Sequence, residues 1–420
     1  MRIHATVVAV AVAMALSVLA CRTAPAQAPF GPQQAVYSPA LFNQAQGQLV
    51  DAHGAPAVIP ASYCDSCGGC PPGYCGGYGG AYPCEDAFCG AGTNCEQCGP
   101  HYFDASLEFL MYQRADYGNS NQTFATLNVL PGGTAVLTDN DLESDYEAGF
   151  RVTGRYDIGG LSFLEFGYSS FWDMGGAGLF TDPTPVSATQ GNLFSPFTNF
   201  GQNPAGGIPV NAGNFDQTDR AVAASVSIES TLMTAEISYR RYWVGHSPRV
   251  SGAWLWGFRY TRLKDEFNYR TQANGTFRNY VEAENDLAGF QFGSDAWVCL
   301  RQGLRAGLEG KAGIYGNDVN VINRASTSPV ATVNINEVMD QDEVSFIGEL
   351  RLMMVADICP SWSVKCGYEV LILTSVATSL DNFNPASPYN EGQGSPRQPL
   401  FNSQGDALFH GFQVAAEYVW

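Results

Sequence analysis

From Phe103 to its last residue, Trp420, the chain alternates apolar and polar side chains, in segments mostly ten to fifteen residues long. A period of two is the period of a strand, whose successive side chains point to opposite faces. The alternation predicts strands at 103–114, 144–157, 160–172, 224–243, 250–264, 281–298, 304–316, 344–358, 362–376 and 406–420. The connections at 158–159, 244–249, 299–303 and 359–361 are very short. Those at 115–143, 173–223, 265–280, 317–343 and 377–405 are long and rich in Asn, Gly, Pro, Ser and Thr. Short and long connections alternate without exception. That is the rhythm of an all-β, transmembrane up-and-down antiparallel β-barrel with tight periplasmic turns and long external loops. Ten strands are expected, and an even count leaves both ends of the barrel on the periplasmic side. Segment 224–243 exceeds a membrane crossing, so it extends above the bilayer, contains a bulge or hides a turn; twelve strands is the alternative.

The two faces of each segment differ in chemistry. In 144–157, Tyr146, Ala148, Phe150, Val152, Gly154 and Tyr156 form one face, and Glu147, Gly149, Arg151, Thr153, Arg155 and Asp157 the other. A soluble sandwich also alternates, but here the polar face carries charges in mid-strand, and aromatics gather near strand ends (Trp172, Tyr242, Trp243, Trp362, Trp420), as interfacial girdles do. Parity assigns to the lumen Glu108, Glu147, Arg151, Arg155, Glu165, Glu236, Arg240, Arg259, Asp295, Arg305, Glu309, Lys311, Glu349, Arg351, Lys365, Glu369 and Glu417. A barrel of about ten strands is little wider than one filled by its own side chains. These charges therefore form either an ion-paired plug or the lining of a narrow polar pore. The longest external connection, 173–223, carries Phe180, Phe194, Phe197 and Phe200, which would constrict the mouth if folded inward; an open surface loop is the alternative.

The closing stretch GFQVAAEYVW puts Phe412, Val414, Ala416, Tyr418 and Trp420 on one face. A terminus written as a finished strand needs a partner, and in lipid that partner is the first strand, so that no edge stays open. Phe412, Tyr418 and Trp420 are the expected assembly signal. An internal repeat supports the hairpins: VCLRQGLRAGLEG (298–310) and ICPSWSVKCGYEV (358–370) align at an offset of sixty.

The chain opens as an exported protein does. Arg2 precedes an apolar run from Ala5 to Ala20, and AQA at 26–28 is a small-residue cleavage site, giving a signal peptide over 1–28. Lipidation at Cys21 is the alternative. No later apolar stretch reaches eighteen residues, so no membrane helix is expected. Residues 29–63 read as an Ala/Pro/Gln-rich linker. In 64–100, Cys64, Cys67, Cys70, Cys75, Cys84, Cys89, Cys95 and Cys98 stand among glycines and prolines that cannot make a core. Cross-links or a metal must order them, and an oxidising compartment favours disulfides over the four-cysteine zinc site that CDSC and CEQC suggest. Cys299 and Cys359 fall at neighbouring periplasmic turns about 10 Å apart, beyond the reach of a disulfide unless the turns curl together. Cys366 falls on the outward face.

A formal charge of −19, from 40 acidic and 21 basic residues, argues against nucleic acid. No Ser–His or Asp–His grouping emerges around the five histidines, and GGYGGAY (76–82) lacks the context of a phosphate loop. No enzyme, cofactor or metal is expected.

AEISYRRYW (235–243), GAWLWGFRYTRLKDEF (252–267) and NDLAGFQFGSDAWV (285–298) resemble the β-barrel porin proteins abundant in planctomycete bacteria, which are similar in turn to the Legionella-type major outer membrane proteins. The resemblance covers 101–420 and implies an outer-membrane barrel with pore function, without catalytic residues. The expected function is passive diffusion of small polar solutes or ions. The alternative is a structural envelope protein with a closed, charge-filled lumen, anchored or cross-linked through its cysteines. Expected partners are outer-membrane lipid, the outer-membrane assembly machinery and other envelope proteins.

Overall fold

Alternation of this length closes on itself. The computed structural model describes residues 41–43, 48–50, 103–115, 122–129, 132–142, 146–159, 161–202, 219–244, 249–301, 303–328, 334–359, 362–386 and 397–419. The segments 1–28 and 64–100, with their cysteines, and Trp420 lie outside the described residues. Of 29–63, the described part is a short antiparallel pair, 41–43 with 48–50.

Ten strands form a closed antiparallel barrel. They are β1 (Phe103–Ala115), β2 (Glu147–Gly159), β3 (Ser162–Thr181), β4 (Ala223–Val244), β5 (Val250–Gln272), β6 (Thr276–Arg301), β7 (Leu304–Ser328), β8 (Asn334–Cys359), β9 (Trp362–Val376) and β10 (Gly405–Val419). Each pairs with its sequence neighbours, and β10 returns to β1 in a register running from Leu408 opposite Ala115 to Val419 opposite Asp104. The expected strand count and closure hold, and lipid meets no open edge.

Two expected loops are strands instead. Residues 265–280 belong to a β5–β6 hairpin that turns only at 273–275, and β7 and β8 take up most of 317–343. A membrane crossing needs about ten residues, whereas β5 to β8 have 23 to 26 each. The cause is an inversion of polarity halfway along each strand. In the periplasmic half the outward positions are apolar, such as Trp254, Trp256, Phe290, Phe292, Ile314 and Phe346, all more than 45% exposed. In the outer half they become Arg262, Lys264, Glu284, Asp286, Asp318 and Asp342, while the inward positions turn apolar: Leu263, Phe267, Val281, Leu287 and Val319 are fully buried. One half is a barrel for lipid, and the other a barrel for water with its own hydrophobic core.

That core is filled by the connections. Segments 134–138, 123–127, 193–194 and 219–221 form a small sheet over the mouth. Phe197 lies at 0% exposure among Tyr269, Phe277 and Phe383, with ring centroids 5.7, 4.6 and 5.4 Å away. The described part of the connection 173–223 thus folds inward rather than standing open. Phe194 is buried beside Phe197, and Phe180 and Phe200 are half-buried. A bulge makes the turn into this region. Asp173 adopts φ 57°, the register on β4 slips between Ser230 and Leu232, and Phe171 and Met174 therefore both point inward.

Candidate functional site

Inside the lipid-facing half, parity brings charges from every strand onto one lumen. Glu108 of β1 lies opposite Arg151 of β2 in register. Arg151 donates to both oxygens of Glu369 at 2.8 and 2.9 Å and reaches Glu108 at 3.2 Å, and Lys365 pairs with Glu108 from the other side. Arg351 contacts Glu369 at 2.9 Å and also pairs with Glu349, which Arg259 holds at 2.6 Å. Arg259 lies 2.8 Å from Glu236, as does Lys311, and Lys311 continues to Glu309 at 3.3 Å. Arg240 joins Glu309 (2.8 Å), Asp295 (2.5 Å) and Glu165 (2.9 Å), and Arg155 links Glu165 at 2.7 Å to Glu417 at 3.4 Å.

This is one connected network of seven cations and eight carboxylates, and every strand supplies at least one member. Its near neutrality matters, because a buried charge is tolerable only when paired and hydrogen-bonded. Gln291 donates to Glu236 at 2.8 Å and to Ser238 at 3.1 Å, extending the same accounting to neutral groups. Two expected lumen residues stand apart from it. Glu147 is half-buried at the outer end of β2, opposite Tyr112. Arg305 sits at the periplasmic rim, 3.9 Å from Asp357, with its guanidinium 5.7 Å from the Trp297 ring.

An apolar layer covers the network toward the outside. Leu110, Tyr112, Phe171, Leu232, Leu263, Leu287, Tyr315 and Phe409 close over it from seven strands. Between network and layer lies a cavity of about 20 Å³, bordered by Tyr112, Phe171, Arg151, Glu236, Arg259 and Arg351. That is room for about one water molecule. Above the layer, Arg114 of β1 pairs with Asp265 of β5 and donates to Ser230 Oγ at 2.6 Å. The other oxygen of Asp265 accepts from the Ser379 backbone N–H (3.0 Å) and hydroxyl (3.1 Å). Asn285 holds the neighbouring Ala377 through its N–H and its carbonyl, both at 2.8 Å. Farther out, Arg397 donates to Glu337 at 2.8 Å and to the Asn384 carbonyl at 2.9 Å. The described ends of the β9–β10 connection are thus bolted into the mouth.

The family model described as "Putative beta barrel porin-7 (BBP7)" matches residues 118–420. The chain belongs to this family. It is an outer-membrane β-barrel, as the resemblance implied. No curated protein matches it. Among solved structures, it is similar to the outer membrane protease OmpT from Escherichia coli at 9% identity and TM-score 0.42, covering 76% of this chain and 97% of that one. It is also similar to the translocator domain of the autotransporter NalP from Neisseria meningitidis (8% identity, TM-score 0.33, 77% and 90% covered). The toluene transporter TodX of P. putida gives 8% identity and TM-score 0.26, with 77% and 91% covered.

On the outward face of the barrel, Phe412 and Tyr418 are exposed, at 56% and 37%, and Trp172 and Trp362 are half exposed. Tyr242 departs from the expected girdle. It shares inward parity with Ser238 and Arg240 and meets Phe163 edge-on at 4.8 Å, so it helps close the periplasmic end of the lumen. Cys366 is an exposed free thiol on the outward face, as expected. Cys299 is disulfide-bonded, and the side chain of Cys359 lies outside the described residues. Sequence reasoning missed Asp265 because it placed 265–280 in a loop, and Asn285 and Ser379 because they are uncharged and their partners are distant in sequence. The signal was present: Leu263, Asp265, Phe267 and Tyr269 continue the inward parity of β5 without a break.

Proposed function

We propose that this barrel is a structural outer-membrane protein whose lumen is closed in its resting form, and that it acts without catalysis. One observation carries this: a nearly charge-balanced network spans the lumen from all ten strands. A pore needs a path of water, and a selective one needs an excess of one charge sign or a ring of dipoles facing that path. Here the charges face one another, and an apolar layer and a tethered connection lie above them. In the same proposal the chain is exported by its N-terminal signal, and the eight cysteines of 64–98 are bridged, anchoring the barrel to its surroundings. Mass spectrometry of non-reduced protein should then find linked peptides in that segment; stoichiometric zinc with free thiols would contradict it.

Planar-bilayer recording of purified full-length protein tests the closed lumen. The expected record is silent, with folding verified by heat-modifiable migration. Regular conductance steps would overturn the proposal. They would favour the second reading, passive diffusion of small polar solutes or ions, which the porin description of the family supports.

A further inference from the structure

Near the outer end of the barrel, two arginines face outward directly opposite one another. Arg270 of β5 pairs in register with Arg278 of β6, and the next outward residue of β6, Tyr280, pairs with Arg324 of β7. All three arginines are exposed. Among the described residues none of them is in an ion pair; Arg324 has one side-chain bond, to Asn336 Oδ1 at 3.2 Å. The carboxylates nearest in the ladder are engaged elsewhere. Glu266 and Glu282 hold Lys264 at 2.7 and 3.4 Å, and Asp286 holds Arg262 at 2.7 Å. Like charges directly opposite across a strand pair are destabilising. In a chain of net charge −19, an uncompensated arginine cluster on a rigid wall is the exception to be explained.

We propose that this face binds an acidic polysaccharide at the cell surface. Its height excludes a lipid headgroup. Phe290 is the outermost large apolar side chain exposed on β6, and Arg278 lies twelve residues beyond it. At about 3.4 Å per residue and a tilt of about 45°, that is roughly 30 Å above the apolar band. The headgroup region adds only about 5–8 Å on each side. A second copy in the same membrane is also excluded as the anion. Its outward acids on the barrel strands all lie lower, the nearest (Glu229, Glu266, Glu282 and Asp340) by four residues and the row Asp286, Asp318 and Asp342 by eight on β6, and the bilayer holds both copies at one height. An acidic protein fits less well than a glycan, because the cluster is framed by Asn268, Gln272 and Ser326 and only Tyr280 and Val338 offer apolar surface beside it, short of the clustered anchors that protein interfaces use. Guanidinium forks match carboxylate and sulfate groups two oxygens at a time. The acidic row below lies beyond a Debye length of about 8 Å, so at physiological salt it does not repel a chain bound above.

The test is surface plasmon resonance with full-length, detergent-solubilised protein, using polygalacturonate, dextran sulfate, neutral dextran and poly-L-glutamate as probes. Polygalacturonate or dextran sulfate should bind and neutral dextran should not, with affinity falling as salt rises. R270S/R278S should weaken binding about tenfold or more, while R270K/R278K, which keeps the charges and loses the forks, should fall between it and wild type. Both variants are outward and exposed, and heat-modifiable migration confirms that they fold. Equal binding by wild type and R270S/R278S, absence of binding to both polysaccharides, or binding to poly-L-glutamate alone would overturn the assignment. Silence or conductance in the bilayer experiment bears on the lumen only, so the two proposals fail separately.

Discussion

Arg114 and Asp265, 151 residues apart in sequence, form an ion pair with both side chains at 0% exposure. The pair sits between two apolar layers and joins the first strand, the fifth strand and the β9–β10 connection. Asp265→Asn leaves a guanidinium buried without a counter-charge, and that kind of loss costs about 3–5 kcal/mol. Arg114→Met with Asp265→Leu removes both charges and should recover most of the difference. Urea unfolding midpoints in lipid vesicles check the contrast, and equal midpoints for the single and double variants would refute it.

A second contrast separates inside from outside. Arg151 donates to Glu369 and Glu108 in the closed lumen, whereas Arg262 pairs with Asp286 on the wetted outer wall with its side chain 45% exposed. Arg151→Met should destabilise the barrel by about 3–5 kcal/mol. Arg262→Met should cost less than about 1 kcal/mol, and less still at high salt. The same unfolding measurement at two ionic strengths decides it.

The strand count, closure and most of the lumen were legible because parity in a β-strand is rigid: Arg151, Arg240, Arg259 and Glu349 had to share a side with their neighbours two residues away. What stayed hidden was the outer half of β5 to β8. There the inward face becomes apolar and the outward face charged, so Glu266, Asn268 and Arg270 look like a loop composition although the period of two continues through Phe267 and Tyr269. Tertiary closure by Phe197 and Phe383, which come from distant connections, supplies the burial that makes those residues strand. No local pattern announces such partners.

Phe197 should therefore behave as a core residue despite its place in a connection. It is fully buried against Tyr269, Phe277 and Phe383. Phe197→Ala is expected to cost about 3–5 kcal/mol within the outer half. Hydrogen exchange should quicken in 377–386 and in the ends of β5 and β6, while the network strands near Arg240 keep their protection. Uniform loosening of the whole barrel would instead mean that the two halves fold as one unit.

Deletion of residues 418–420 removes the last outward aromatic from the strand that closes the barrel. Tyr418 pairs in register with Ala105 of β1 on one side and with Trp362 of β9 on the other, where the two rings lie 4.9 Å apart. Without it, β10 loses its periplasmic end and the seam between the first and last strands begins to open in lipid, where unpaired backbone groups cost several kcal/mol each. Glu417 then also becomes the terminal residue, placing a carboxylate next to the one that Arg155 holds at 3.4 Å. The truncated chain should accumulate as periplasmic aggregate and show no heat-modifiable band in outer-membrane fractions. Replacing Tyr418 with Phe, which keeps the ring and the strand, should restore assembly. Normal assembly of the truncated chain would mean that closure depends on the register from Leu408 to Glu417 alone.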